Sequence, residues 1–453
     1  MEQERATTRF QREPELLRSG RTGKAKIAAL FGGQGFHNSK CLEELRWLRE
    51  NQNGSVENLL QRASFVLDQL AHESDPSGFH DDYGFHLAKW LADPSRAPPK
   101  HHLARAPISF PLNTLLALAH YCIACRRGSG RPGQFRSALA CVVGYSQGVF
   151  AASAVAQSRS WNDFWEAAES ALRLSYGVGL ESHRACPPSH LSSAVRSKSV
   201  EEGLGEPTPM LSVKGLDRPS LAATIKQTNK GLRDHGEGDI HLALEVSRDR
   251  HIVCGPVRGL WKLCVQLMRT RALPTLDQSQ TPFPSRKPII DLAFVPISAP
   301  FHSPYLEDIE SIVMNSSLYF PTSSSSTEQD DSVLPMMDGT TGGLMSLGTK
   351  LGLARAVVRA VTVEFVEWDR VSTSLSEQFT HLLDFGPGHM GDLILQNTQG
   401  SGLTVIDMAL RGGKEKPHMR SLAHFHSDEM PTSATNWVDS FGPRLLRGHQ
   451  EGR

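Results

Sequence analysis

The stretch SALACVVGYSQGVFAASAVA, residues 137–156, changes character twice within twenty positions. Its first part, Ser137 to Val143, is a short apolar run of the kind that forms a buried strand. Its last part, Val149 to Ala156, is a run of small and apolar residues suited to a helix packed closely on a sheet. Between them stands Gly144-Tyr145-Ser146-Gln147-Gly148. Glycines at the first and last positions allow a sharp turn without a Cβ clash, so Ser146 sits exposed between a strand end and a helix N-terminus. That is the geometry of a nucleophile elbow, and the backbone N–H of Gln147 then faces the oxyanion that develops during attack. An ordinary strand-to-helix turn is the alternative reading. The strand before and the small-residue helix after favour the elbow.

Moving toward the N-terminus, Ile27 to Phe31 is another apolar run, ending in Gly32-Gly33-Gln34-Gly35. Loops at the carboxyl ends of neighbouring parallel strands lie side by side, so the region of Gln34 offers a second backbone donor next to the elbow. A plain turn or a phosphate loop is the other reading, although the lysine of a P-loop is missing. Residues 107–125 have the length and apolar density of a buried helix, and a further helix spans about Trp161 to Gly179. Residues 180–206 read as loop. From Met210 the units shorten into a β-α-β rhythm through Gly255, which predicts a small inserted α+β unit. Strand signals return at 293–297, 333–337, 381–385 and 403–407. The fold class expected is α/β, with a parallel-sheet large domain in two parts, 24–206 and 291–446, around a small subdomain at 207–290. Residues 1–23 and 447–453 are expected to be tails, the first of them disordered, and 320–332, rich in Ser and acidic residues, a mobile insertion.

The chain has 453 residues with Lys+Arg 48 against Asp+Glu 48, so no basic excess points to nucleic acid. The longest charge-free stretch, between Arg136 and Arg159, contains the polar elbow at its centre, which is wrong for a membrane span. Seven cysteines, an odd number, fit a reducing compartment, and the chain reads as cytoplasmic. Cys122-x-x-Cys125 lies in the apolar helix without a second pair, and His80/His86 and His424/His426 lack clustered partners, so no metal is assigned. A serine nucleophile needs a base. Among 19 histidines the best placed is His302, in Ala299-Pro300-Phe301-His302-Ser303, where flanking residues fix the backbone.

Phe31-Gly32-Gly33-Gln34-Gly35, the elbow, Ala299 to Ser303, and Leu383-Asp384-Phe385-Gly386-Pro387-Gly388 occur in the order and spacing of the malonyl/acyl transferase family. The sequence most resembles the starter-unit:acyl-carrier-protein transacylase domains of fungal non-reducing polyketide synthases and the related acetyltransferase domain of fungal fatty acid synthase. Pro209 to Val213 and the late Asn436-Trp437 with Phe441-Gly442-Pro443-Arg444-Leu445 also resemble that group. The resemblance implies a hydrolase-like large domain with a ferredoxin-like small subdomain between nucleophile and histidine. It implies a ping-pong mechanism: Ser146 attacks acyl-CoA with His302 as base, N–H groups at Gln34 and Gln147 hold the oxyanion, and a carrier protein's phosphopantetheine thiol takes the acyl group. No permanently bound cofactor is implied, and the histidine is oriented by a backbone carbonyl.

The sequence departs from the resemblance in two places. Many starter-unit transacylases carry cysteine where this chain has Ser146, and related enzymes carry asparagine where it has Val246. Malonyl-type members place an arginine in the helix after the elbow, at the position of Val178, with Arg173 five residues earlier. Val178 and Val246 are therefore the implied pocket residues, and an uncharged acyl group is expected. The basic groups Arg248-Asp249-Arg250 and Arg126, Arg127, Arg131 and Arg136 could dock a carrier protein or CoA phosphates, against a default of solvated surface charge. A serine hydrolase is the rival enzyme, disfavoured because its histidine ordinarily lies near the C-terminus. A non-catalytic docking scaffold is the rival outside enzymes, disfavoured by the presence of both Ser146 and His302.

Overall fold

The computed structural model describes residues 13–33, 38–52, 54–74, 84–186, 191–272, 278–279, 281–282, 285–321, 333–345, 349–388 and 390–409. The first strand, β1 (Ile27–Phe31), and the second, β2 (Cys141–Gly144), are buried along their whole length and pair in parallel, Phe31 against Gly144. The next four strands belong to another sheet: β3 (Met210–Lys214), β4 (His241–Ser247), β5 (Arg250–Cys254) and β6 (Asp291–Phe294). They are followed by β7 (Met336–Met337), β8 (Leu344–Met345), β9 (Val366–Glu367), β10 (His381–Asp384) and β11 (Thr404–Asp407).

The larger sheet has the order β11-β10-β1-β2-β7-β8, parallel except for its edge strand β8. Strands buried on both faces need helices on both sides, and this explains why their sequences are continuous apolar runs rather than alternating ones. The helix Gly148–Gln157 is buried from Gly148 to Ala156, and its alanines let it lie close against the sheet. The helix Ala106–Gly128 is long and apolar enough to cross a membrane, yet its apolar window is wholly buried inside the protein. It is a core helix.

The smaller sheet has the order β6-β3-β5-β4-β9. Its βαββαβ succession, with helices Arg218–Arg233 and Val257–Thr270, and the placing of β3 and β5 at the centre, is ferredoxin-like. A separate hydrophobic cluster, including Leu211, Leu221, Val253, Leu260 and Phe294, fills the space between this sheet and its helices.

Several expectations need correction. Residues 15–21, placed in a disordered tail, form a helix because Leu16 and Leu17 find buried positions. The helix from Trp161 continues to Ala185, and Ser193–Glu201 is a further helix within the stretch read as loop. The strand after residue 290 closes the small sheet rather than returning to the large one: β6 pairs antiparallel with β3, so the boundary at 290 cuts through that unit. Strand β9, from the later part of the chain, also joins the small sheet, pairing in parallel with β4. The tails at 1–12 and 447–453, the bulk of the insertion at 322–332, and the motif at 436–445 lie outside the described residues.

Candidate active site

Three loops meet at the carboxyl ends of β1, β2 and β10. Their interlock is steric. A Cβ on Gly148 would lie 2.1 Å from the carbonyl oxygen of Phe31, and one on Gly32 would lie 1.8 Å from that of Pro387. Neither position has room for any side chain. The amide of Gly32 donates to the Gly386 carbonyl at 2.8 Å, and the amide of Tyr145 donates to that of Phe31 at 2.9 Å. The buried carboxylate of Asp384 accepts the amides of Gly386 and Gly391, both at 2.9 Å, which ties down the third loop. His120, from the core helix, bonds the Phe385 carbonyl through Nδ1 at 2.7 Å.

Ser146 stands at the apex of the second loop with φ +51°, a left-handed conformation that L-residues adopt at a cost. Its Oγ lies 2.8 Å from Nε2 of His302. His302 is also left-handed, at φ +60°. Its backbone N–H donates to Val361 at 3.2 Å and that of Ser303 to Thr362 at 3.0 Å, both carbonyls at the end of the helix Lys350–Thr362. The ring is held from behind: Nδ1 lies 2.9 Å from the carbonyl oxygen of Glu364. A carbonyl only accepts, so Nδ1 carries the proton and Nε2 presents its lone pair to the serine hydroxyl. Burial pushes the His302 pKa down to about 4, against the opposing effect of the Glu364 carbonyl, and the imidazole is neutral at pH 7. This pair can take a proton from serine as the hydroxyl attacks a carbonyl carbon, and return it to a leaving group.

Of the residues singled out from sequence, Ser146, Gln147 and His302 come together. Gln147 is buried at the N-terminus of the helix Gly148–Gln157, where backbone amides have no intrahelical acceptor. Its side-chain amide is buried with no hydrogen-bond partner among the described residues. Gln34 lies outside the described residues. Val178 is fully buried in the helix Trp161–Ala185, and Val246 is buried in β4 with its carbonyl accepting from Asn397 at 3.2 Å. Arg173 is bonded to Glu169 at 3.0 Å and to the Leu318 carbonyl at 3.2 Å. Sequence reading missed Glu364 as the anchor of the histidine, since every residue type offers the same carbonyl. Among the described residues no group of His, Cys, Asp and Glu is arranged to hold a metal ion.

Residues 29–288, more than half the chain, match the family model described as starter unit:ACP transacylase in aflatoxin biosynthesis. The chain belongs to this transacylase family. The chain is 40% identical over 443 residues to fatty acid synthase beta subunit hexB of Dothistroma septosporum, covering 97% of this chain and 23% of that protein. It is 34% identical to fatty acid synthase beta subunit stcK of Emericella nidulans, covering 94% and 22%. The chain thus spans less than a quarter of the length of these relatives. Among solved structures, the malonyl CoA-acyl carrier protein transacylase from Coxiella burnetii superposes with a TM-score of 0.56 at 16% identity, over 85% of this chain and 94% of that one. A malonyl-transacylase solved in complex with its type II polyketide synthase acyl-carrier protein gives 0.56 at 17%, over 84% and 96%. These structures share the fold of this chain, in agreement with the α/β architecture read from the strand pattern.

Proposed function

We propose that this transacylase loads a starter acyl group from acyl-CoA onto Ser146 and passes it to the phosphopantetheine thiol of an acyl carrier protein, in the cytoplasm, as part of polyketide assembly. The observation that carries the proposal is the 2.8 Å contact between Ser146 Oγ and the neutral, carbonyl-anchored His302, within a chain of this family. Oγ attacks the thioester carbon while Nε2 takes its proton. The tetrahedral oxyanion is held by backbone amides at Gln147 and Gln34, and its collapse expels CoA as a thiol that takes the proton from His302. The carrier thiol then attacks the acyl-serine by the same steps in reverse. Phosphopantetheine belongs to the carrier protein and is a substrate here, not a resident group.

The acyl group is uncharged. At the position where malonyl-type relatives are expected to carry an arginine stands Val178, and Arg173 is engaged with Glu169 and Leu318. Burying a carboxylate without a partner costs several kcal/mol. Acetyl or longer saturated acyl-CoA should therefore outcompete malonyl-CoA by about a hundredfold, the ratio given by about 2.7 kcal/mol.

The test is intact-mass measurement of the protein after incubation with a panel of acyl-CoAs, followed by addition of a holo carrier protein. An acyl adduct on Ser146 that moves to the carrier faster than to water supports the proposal. Dominant hydrolysis at saturating carrier supports the serine-hydrolase reading, preferential malonylation overturns the substrate class, and absence of any adduct supports the docking scaffold.

A further inference from the structure

His120 is a polar residue in an apolar place. It lies between Ala119 and Tyr121 in the helix Ala106–Gly128, wholly buried, and the reaction proposed for Ser146 makes no direct use of it. Both ring nitrogens are engaged. Nδ1 lies 2.7 Å from the Phe385 carbonyl oxygen, and Nε2 lies 3.0 Å from Oε1 of Glu44, in the helix Asn38–Asn51. Because a carbonyl only accepts, Nδ1 carries the proton. Setting an imidazole against a carboxylate among apolar side chains carries a desolvation cost that an aliphatic residue would not, so packing alone does not account for a histidine here.

The Nδ1 bond falls at the start of the loop that meets the elbow. The peptide joining Phe385 to Gly386 is held at both of its polar ends, its carbonyl by His120 and its amide by the Asp384 carboxylate at 2.9 Å. With that peptide plane fixed, the next carbonyl, of Gly386, is aimed at the Gly32 amide, which donates to it at 2.8 Å. Gly33 follows, and a Cβ there would lie 2.6 Å from the Tyr145 carbonyl oxygen and 3.3 Å from Cβ of Ser146. His120 is thus connected to the nucleophile through the Phe385 and Gly386 carbonyls and one close backbone contact. Ring packing is no substitute for these bonds. Phe31 and Phe385 stack with centroids 5.2 Å apart, but a contact between ring faces leaves the orientation of the peptide plane free.

We infer that, in the reaction proposed for Ser146, on which this inference rests, His120 is a positioning residue. Its Nδ1–H orients the Phe385–Gly386 peptide and, through it, the Gly32-Gly33 loop that abuts the nucleophile, while Glu44 fixes the ring from its far edge.

The experiment uses two variants that each keep half of the imidazole's bonding. The carboxamide of His120→Asn can donate from the place of Nδ1, whereas that of His120→Gln reaches the place of Nε2, beside Glu44, and leaves the Phe385 carbonyl unpaired. Acylation of Ser146 in the full chain is followed by intact mass over a range of acetyl-CoA concentrations. His120→Asn is expected to keep the saturating rate within about threefold and His120→Gln to lose about thirtyfold, with the half-saturating concentration unchanged in both, since a misplaced loop costs turnover rather than binding. Glu44→Ala should lose about threefold, and nothing further when combined with His120→Asn, whose shorter side chain does not reach it. Thermal unfolding checks that the variants are folded, and Glu44→Ala, at a half-buried residue, supplies the readout if His120→Gln is not. Labelling of Ser146 by a fluorophosphonate needs the nucleophile and its oxyanion donors but no acyl-CoA. Labelling of the unaltered chain without acetylation would count against the proposed reaction alone, and the variants are then ranked by labelling rate. Equal rates in the Asn and Gln variants, losses that track the unfolded fraction, or a change confined to half-saturation overturns the role of His120. An unaltered chain that neither acylates nor labels overturns both.

Discussion

Ser146 and His302 share a left-handed backbone, φ +51° and +60°, but the loops that impose it are built differently. The elbow is fixed by sterics. Gly144 and Gly148 have no space for a Cβ, and the nearest atoms are backbone atoms that cannot yield. The histidine loop has no glycine between Ala299 and Ser303. It is fixed by hydrogen bonds to Val361, Thr362 and Glu364, by Pro300 and Pro304 at its ends, and by Phe301 packed against Phe110 with ring centroids 4.7 Å apart and the rings tilted by 30°. A sterically fixed nucleophile leaves a glycine pattern in the sequence. A base fixed through main-chain hydrogen bonds leaves almost none, and the histidine can be placed with confidence only once the distant helix end that accepts those bonds is seen.

The largest effect that sharpens this contrast is at the nucleophile. Ser146→Ala should abolish the acyl adduct, read by intact mass after incubation with acyl-CoA, while the melting transition stays unchanged, because among the described residues the hydroxyl bonds only His302. An adduct of normal yield on the alanine variant would remove Ser146 from its role. Next, His302→Ala should lower the rate of acylation by about a thousandfold or more, since a serine without a base has little alkoxide character at neutral pH. The double variant should react no more slowly than Ser146→Ala, because the two groups act as one unit; additive losses would show that they act apart.

The two modes of fixation should also differ in stability. Gly148→Ala forces a methyl group against the Phe31 carbonyl and should cost several kcal/mol in chemical denaturation, if the variant folds at all. Ser303→Ala removes one buried hydrogen bond, from its hydroxyl to the Pro300 carbonyl, and should cost about 1 kcal/mol. Equal losses at the two positions would break the comparison. The smallest effect is in the acid limb of the rate. An imidazole accepts a proton only when neutral, and burial holds the His302 pKa to about 4, so under the proposed mechanism acylation should persist through pH 6 and fall only as pH approaches 4. Unfolding returns the imidazole to its ordinary value near 6.5, so the unfolded chain binds the extra proton first and the native state loses stability as pH falls from about 6.5 toward 4. A half-maximal rate near pH 6.5 would mean that the ring is solvated in the working enzyme.

Much of the architecture was legible because its cause is local. The continuous apolar runs at Ile27–Phe31 and Cys141–Val143 mark strands covered on both faces, and the βαββαβ rhythm after Met210 marks the small unit. The assignments that failed depended on a partner elsewhere in the chain. Leu16 and Leu17 carry no periodic pattern long enough to announce a helix, and they fold because the core accepts them. The strand Asp291–Phe294 reads the same whichever sheet it joins, and only its antiparallel register with β3 assigns it to the small one.

The sequence by itself determined the strand, turn and helix around Ser146 and most of the strands along the chain, though not the two-residue strands Leu344–Met345 and Val366–Glu367. Glycine spacing and apolar runs are properties of consecutive residues, and sterics act on them without reference to the rest of the chain. Only the tertiary structure decided that His302, 156 positions away, brings Nε2 to 2.8 Å from Ser146, that the Glu364 carbonyl sets its tautomer, and that Arg173 is engaged elsewhere. Those facts rest on backbone carbonyls and on burial. Every residue supplies the first, and the second exists only once the chain has closed around the site.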